Sequence, residues 1–152
     1  MKRTFIMLKP DCIRDNLTEK ILKDISDNGF NIVNRKEVIV NKDLILEHYK
    51  DVIIKLNNDT FTSNVLKTFV DKKVIAIIIE QDNELCVSNM RKLIGATEPC
   101  NADPNSIRGK YSKDSYEIAN KNNRILENLI HASDSDDNAN KEIKLWFNID
   151  IN

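Results

Sequence analysis

Residues 74 to 79 read Val-Ile-Ala-Ile-Ile-Ile (VIAIII), the longest apolar run in this chain of 152 residues. Six apolar residues have the length of a buried strand and are far too few to span a membrane. Side chains on both alternating faces of the run are apolar, so neither face suits solvent. The run therefore predicts the central strand of a sheet.

The apolar spacing on either side of this run predicts three further strands and five helices. Residues 5–8 form a β-favouring stretch that Pro10 stops, and residues 30–40 alternate as a strand with one buried face. Thr18 is expected to cap a helix that ends at Gly29. The predicted strands are 5–8, 30–40, 74–79 and 125–130, and the predicted helices are 18–28, 44–56, 61–70, 83–93 and 136–147.

This order of elements gives the expected fold class. Two halves of the β-α-β kind predict an α+β ferredoxin-like sandwich, a mainly antiparallel four-stranded sheet with helices packed on one face. No repeat or linker divides the chain, and its length suits one core. We therefore expect residues 1–152 to form a single domain.

The composition excludes several classes of partner. The chain has 23 Lys and Arg against 24 Asp and Glu, so no global field draws it to nucleic acid or to an anionic membrane. Three cysteines without a CxxC pattern fit a reduced compartment better than a disulfide framework. The apolar stretch at residues 5–8 is too short for a signal peptide. The default location is therefore the cytoplasm or an organelle matrix.

Residues 96–108 form a long loop with two prolines and no hydrophobic period, which is typical of a functional segment. If the loop folds back over the sheet, Thr97 and Arg108 meet Arg91, and two guanidiniums with a hydroxyl suit several phosphate oxygens. A pair of surface arginines is the alternative. Lys9, at the end of the first strand, is either a phosphate partner or an ordinary solvated lysine.

His131 is the candidate nucleophile. It follows an apolar strand and precedes Ser133, Asp134 and Ser135, whose side chains can cap the next helix. A neutral histidine that a carboxylate or hydroxyl holds can attack phosphorus or acyl carbon, although a structural histidine fits the same pattern. His48 is less promising, because nothing acidic or apolar frames it. With three glycines and neither a Walker motif nor GxGxxG, any nucleotide must be held by side chains.

Four stretches of the chain stand out as motifs. They are TFIMLKPD at residues 4–11, LIGATEP at 93–99, SIRG at 106–109 and NLIHASDS at 128–135, the last followed by Glu142-Ile143 and Leu145-Trp146-Phe147. Together they resemble the motifs of nucleoside diphosphate kinases. The match runs in order along nearly the whole chain. The histidine motif with its downstream Glu and Trp-Phe is highly specific.

The resemblance implies ping-pong transfer of the γ-phosphoryl group from a nucleoside triphosphate to a nucleoside diphosphate through a phosphohistidine on His131. Glu142 and Ser133 would orient the ring, and Tyr49 would pack near the reacting phosphate. Residues that would hold the phosphates, the sugar or the base are Lys9, Phe61, Arg91, Thr97, Arg108, Ile125 and Asn128. Mg²⁺ would arrive on the nucleotide phosphates and not in a protein cage. A cytoplasmic homo-oligomer, tetramer or hexamer, is also implied.

The sequence departs from the family pattern around the site. About ten extra residues lie between Arg108 and Asn128, and residues 110–124 are expected to form a helix or hairpin near the nucleotide. This puts base contact by Ile125 in doubt. A few extra residues between Tyr49 and Phe61 make base stacking by Phe61 less secure than phosphate binding by Arg91.

Two other function classes compete with the kinase. A non-catalytic ferredoxin-like nucleotide- or nucleic-acid-binding regulatory module would show a basic face with exposed aromatics, which the charge balance argues against. A protein-histidine phosphotransfer partner would share His131. It would leave Arg91, Thr97 and Arg108 without a purpose.

Overall fold

The computed structural model describes residues 2–148. Its strands are β1 (Lys2–Leu8), β2 (Asn31–Ile39), β3 (Lys73–Gln81) and β4 (Ile130–Ala132). They form one antiparallel sheet in the order β2-β3-β1-β4. β3 lies between β1 and β2, so the predicted position of residues 74–79 within the sheet is confirmed. The α+β fold class is confirmed with it.

Nine α-helices and one 3-10 turn (Pro99–Asn101) accompany the sheet in the part of the chain that the structure describes. No helix among them has the length and apolarity that a membrane span requires. Asn or Ser side chains cap several of these helices, as at Asn41, Asn58 and Ser135. The helices are α1 (Pro10–Arg14), α2 (Thr18–Asp27), α3 (Lys42–His48), α4 (Lys50–Leu56), α5 (Asp59–Phe69), α6 (Cys86–Ile94), α7 (Ile107–Tyr111), α8 (Tyr116–Lys121) and α9 (Asp136–Phe147).

Helices cover both faces of the sheet. Ile75, Ile77 and Ile79 of β3 belong to a core with α1, α2, α6 and α7, whereas Val74 and Ile78 belong to a second core with α3, α5 and α9. The expectation that helices lie on one face is therefore wrong. A central strand that is apolar on both faces needs a cover on each.

The edge strand β2 differs most from its prediction. All its residues except Val38 are exposed, and Ile39 is 61% exposed, so neither face is buried along its length. The apolar alternation of residues 30–40 had predicted one buried face. β2 pairs with β3 on one side only, and an edge position leaves such a strand open to solvent.

Four predicted boundaries also change. The helix predicted at residues 44–56 is divided at Tyr49 into α3 and α4, and the helix predicted at 83–93 begins at Cys86. Thr18 begins α2 without capping it, because Leu17 occupies the N-cap position. The fourth strand covers only Ile130–Ala132 and not residues 125–130. Within residues 110–124, the expected extra helix is present as α8.

Candidate active site

The candidate site lies where β1 ends beside β4. His131 pairs with Met7 in the antiparallel register, and the backbone N–H of Lys9 donates to the carbonyl of Leu129 at 2.9 Å. His131 is therefore in the middle of β4, not after a strand as its sequence context suggested. Pairing in the sheet therefore fixes the backbone position of His131.

The chain enters β4 through a strained residue. Leu129 has a φ of 73°, a left-handed conformation that is rare for a bulky side chain. Its N–H donates to Asp11 Oδ2 at 2.9 Å, and its carbonyl accepts from Lys9, so both backbone polar groups are held. The strain explains why residues 125–129 are outside the strand. It also fixes the turn between Asn128 and His131.

Glu142 and Ser133 hold the imidazole of His131. The ring Nε2 lies 2.7 Å from Glu142 Oε1, and Ser133 Oγ donates to the same oxygen at 2.6 Å. Burial raises the pKa of Glu142, but the hydrogen bond and charge of His131 outweigh it, so the net pKa is lowered. An ionised carboxylate only accepts, so Nε2 carries the proton. Nδ1 of His131 then bears a free lone pair.

The histidine opens on a cavity of about 640 Å³ between α4 and α9. Its side chain is 21% exposed, and that of Glu142 is 15% exposed. Charged groups of both signs share the cavity wall with these two residues, among them Arg91, Asp134 and Lys141. The His131 side chain is thus within reach of a solute.

His48 belongs to this site, although no sequence motif pointed to a role for it. Its ring centroid lies 4.6 Å from that of His131, and Trp146 Nε1 donates to its Nδ1 at 3.0 Å. Burial, followed by the charge of His131, lowers the pKa of His48 to about 3. Hydrophobic residues and a carboxylate do frame it, but they come from distant parts of the chain. The expectation that nothing frames His48 is wrong.

His48, His131 and Glu142 bring ligand-type atoms within 4.8 Å of one another, as a metal site would. The hydrogen bond from Trp146 makes Nδ1 of His48 an acceptor, so the proton of the neutral ring is on Nε2. A metal at Nε2 would require that proton to move to Nδ1, opposite an indole N–H. The arrangement of the three residues therefore fits two packed imidazole rings better than a bound metal ion.

Lys9 and Asn128 form the centre of the cationic half of the site. Lys9 Nζ donates to Asn128 Oδ1 at 2.9 Å and to the carbonyl of Leu126 at 3.1 Å, and Asn128 Nδ2 donates to the carbonyl of Thr97 at 3.0 Å. Lys9 is 5% exposed, and burial lowers its pKa to about 8. One ammonium hydrogen remains for a ligand.

Two arginines bind the backbone of β4 and the residues before it. Arg108 donates to the carbonyls of Asn128 at 3.3 Å, Ile130 at 2.6 Å and Gly95 at 3.2 Å. Arg91 donates to the carbonyl of Ala132 at 3.1 Å. Burial, followed by the charge of Arg91, lowers the pKa of Arg108 to about 10. Of five guanidinium N–H groups on Arg108, two remain after three carbonyls.

The remaining site candidates lie around these two groups. Tyr49 lines the cavity at the break between α3 and α4. Thr97 is exposed at the start of the long loop. Phe61, in the first turn of α5, and Ile125 are half-buried against the second core.

The inserted segment is tied to the loop and to the start of β4. Asp114 accepts two hydrogen bonds from Arg124, at 2.7 and 3.0 Å, and one from the N–H of Glu127 at 2.8 Å. Its carbonyl accepts from the N–H of Cys100 at 3.1 Å, and Glu98 accepts from the N–H of Tyr116. The insert thereby connects the long loop at residues 96–108 to Glu127, which directly precedes Asn128.

Comparisons with known proteins agree on one family. The family model described as nucleoside diphosphate kinase matches residues 2–151. A nucleoside diphosphate kinase of Methanothermobacter thermautotrophicus is 35% identical over 147 residues, covering 97% of this chain and 87% of that protein. One of Crocosphaera subtropica is 36% identical over 148 residues, covering 97% and 89%.

Solved structures give the same result. A transition-state mimic of the nucleoside diphosphate kinase from Borrelia burgdorferi, with bound vanadate and ADP, superposes with a TM-score of 0.89 at 30% identity. That match covers 99% of this chain and 90% of the other. An NDP kinase from Pyrobaculum aerophilum superposes with a TM-score of 0.84 at 27% identity, covering 96% and 95%.

Proposed function

Because the chain belongs to the nucleoside diphosphate kinase family and is a nucleotide phosphotransferase, we propose that it works by ping-pong transfer through a phosphohistidine on His131. One observation carries this proposal. Glu142 holds Nε2 of His131 at 2.7 Å, which leaves the lone pair on Nδ1 of a ring that lines an open cavity.

In the first half-reaction, Nδ1 of His131 attacks the γ-phosphorus of a nucleoside triphosphate. The bond from that phosphorus to the β–γ bridging oxygen breaks, and a nucleoside diphosphate leaves with the electron pair. The proton stays on Nε2, where the Glu142 carboxylate stabilises the charge that develops on the ring. Ser133 fixes the carboxylate in turn.

The second half-reaction reverses these steps with another nucleoside diphosphate. A terminal β-phosphate oxygen attacks the phosphohistidine phosphorus, the P–N bond breaks, and its electron pair returns to Nδ1. No proton needs to be exchanged with solvent. One side chain can therefore accept and donate the phosphoryl group.

The cations around His131 support binding of the phosphates. Phosphoryl transfer depends chiefly on positioning and on charge around the equatorial oxygens. In the proposal, Arg91, Arg108 and the hydroxyl of Thr97 hold these oxygens. Lys9 reaches a phosphate or a sugar hydroxyl with its remaining N–H, and Tyr49 packs near the transferred group.

The nucleoside is held mainly by shape in this proposal. Asn128, already joined to Lys9 and Thr97, contacts the sugar hydroxyls. Phe61 stacks on the base, with Ile125 on its other face. Stacking tolerates every base, because each presents a π-face.

Mg²⁺ fits the donors that the cavity offers. Asp51 and Asp134 line the cavity with His131, and carboxylate oxygens suit a hard cation or its bound waters. We propose that the ion is carried by the nucleotide phosphates, where it neutralises their charge.

Two wider properties follow the family. We propose a homo-oligomer, either tetramer or hexamer, and a cytoplasmic location. Light scattering of the purified protein measures the mass in solution and distinguishes the two assemblies. A monomer at micromolar concentration would contradict the proposal.

Labelling with γ-labelled ATP tests the mechanism. We expect one labelled histidine per chain that is stable in base and labile in acid, and transfer of the label to an added diphosphate. His131→Asn should carry no label, whereas Lys23→Ala, an exposed change on α2, should label like the unmodified protein. A fully active His131→Asn protein would contradict the proposal.

A further inference from the structure

His48 lies at a break between two helices. α3 ends at His48, and Tyr49 separates it from α4. The rings of these two adjacent residues meet edge to face, with centroids 4.8 Å apart and planes at 87°. Both residues line the same cavity as His131. The break thus presents two rings to one site.

Trp146 fixes the His48 ring. Its indole N–H can only donate, so Nδ1 of His48 must accept at 3.0 Å and the neutral ring carries its proton on Nε2. Trp146 is 3% exposed and stacks on Phe5 at 5.7 Å. It is therefore itself immobilised, and it determines both the tautomer and the direction of the imidazole of His48.

The His48 ring in turn packs on the nucleophile. The centroids of His48 and His131 are 4.6 Å apart, with planes at 78°. The bond to Glu142 restrains Nε2 of His131. The plane of the ring can still turn about the Cβ–Cγ bond, because Nε2 lies close to the axis of that bond. A second ring set nearly perpendicular to the first restricts this rotation. Phe5, at 5.9 Å from His131 and tilted by 53°, is a looser neighbour.

We propose that His48 is a positioning residue for the transfer reaction, which sets the plane of the His131 ring so that Nδ1 faces the γ-phosphorus. The inference rests on the proposed function, because it assumes that His131 is the residue phosphorylated. Trp146 acts indirectly, by holding His48. Glu142 fixes the position of Nε2 of His131, and His48 fixes the plane of the His131 ring.

The charge state of His48 agrees with this role. The titratable groups that face it are His131 and Glu142, and burial keeps its pKa near 3. A neutral ring does not repel the positive charge that develops on His131 during attack. It also does not remove the proton that Nε2 shares with Glu142.

Two substitutions separate ring packing from hydrogen bonding. His48→Gln keeps an acceptor for Trp146 but loses the ring, whereas His48→Phe keeps a ring and loses the acceptor. Single-turnover phosphorylation of His131 by ATP gives the rate, and equilibrium titration with ADP gives the affinity. We expect His48→Gln to slow phosphorylation by about tenfold to a hundredfold with ADP affinity within about twofold. His48→Phe should be slowed by only about threefold, with a lower melting temperature.

Three outcomes would overturn the inference. They are an unchanged phosphorylation rate in His48→Gln, a parallel loss of rate and ADP affinity, and a His48→Phe protein slower than His48→Gln. If His48→Gln does not fold, Trp146→Phe frees the same ring and must slow phosphorylation at unchanged affinity. Failure of the unmodified protein to label on His131 would instead contradict the proposed function.

Discussion

The nucleophilic half of the site and its cationic half are held in different ways. His131 is held by side chains, with Glu142 on one nitrogen and the His48 ring against it. Arg108 is held by three backbone carbonyls and Lys9 by one carbonyl and the Asn128 side chain. A nucleophile needs its lone pair aimed, whereas phosphate-binding cations need only a fixed location.

Because the two halves are held differently, we expect substitutions in them to have different effects. Removing a side chain that aims His131 should change the rate and leave the fold and the nucleotide affinity nearly intact. Removing a buried cation should leave carbonyls without donors, and therefore lower stability and affinity together.

Arg108→Met should have the largest effect. It removes three hydrogen bonds to backbone carbonyls, two of them buried, together with a phosphate-binding charge, so we expect a loss of about 3 kcal/mol in the free energy of unfolding. ADP affinity should fall by about a hundredfold. Arg91→Met, which frees one carbonyl, is the matched control and should lose affinity with a smaller loss of stability. Denaturant unfolding and ADP titration measure both, and equal stability losses in the two variants would contradict the division.

Glu142→Gln should reduce the rate by roughly a hundredfold and leave ADP affinity within about twofold. The amide is neutral and can also donate, so it neither stabilises the charge on His131 nor fixes the tautomer. Single-turnover phosphorylation measures the rate. A loss of ADP affinity as large as the loss of rate would mean that the nucleophilic half also contributes to nucleotide binding.

The pKa of Lys9 predicts proton uptake on nucleotide binding. Its pKa in the folded protein is about 8, against an ordinary value of 10.5, so above about pH 8 the free site is mostly neutral at this residue. Phosphate favours the charged form, so ADP binding at about pH 9 should take up part of a proton, with almost none at about pH 6.5. Calorimetry in buffers of different ionisation enthalpy measures it. Proton uptake that persists in Lys9→Met would mean that a group other than Lys9 takes up the proton.

Arg124→Met should have the smallest effect. Its partner Asp114 is 8% exposed but Arg124 is 25% exposed, so we expect a stability loss of about 1 kcal/mol. The pair lies in the insert and outside both halves of the site, so turnover should stay within about twofold. A coupled assay and thermal unfolding test this. A large loss of turnover would make the insert part of the cationic half.

Local pattern predicted the elements that bury a clear apolar face. VIAIII predicted the central strand, and the spacing around residues 18–28 and 136–147 predicted α2 and α9 closely. The resemblance to nucleoside diphosphate kinases implied that Lys9, Arg108 and Asn128 belong to one site, and the structure does bring them together. These predictions depend on short-range periodicity or on a family resemblance that runs along the chain.

Other features depend on contacts that no local pattern shows. His48 enters the site because Trp146, 98 positions away, donates to its ring. β4 begins late because Leu129 is held at positive φ by Asp11, 118 positions away. β2 alternates like a half-buried strand but is at the edge of the sheet, and its position there follows from the topology alone.

The position of the phosphoryl group on the protein tests the central claim most directly. Nitrogen-15 and phosphorus-31 NMR of the protein treated with ATP, without an acceptor, distinguish the two ring nitrogens of His131. We expect phosphate on Nδ1, with the proton retained on Nε2 beside Glu142. Phosphate on Nε2, on another residue or on no residue would contradict the account.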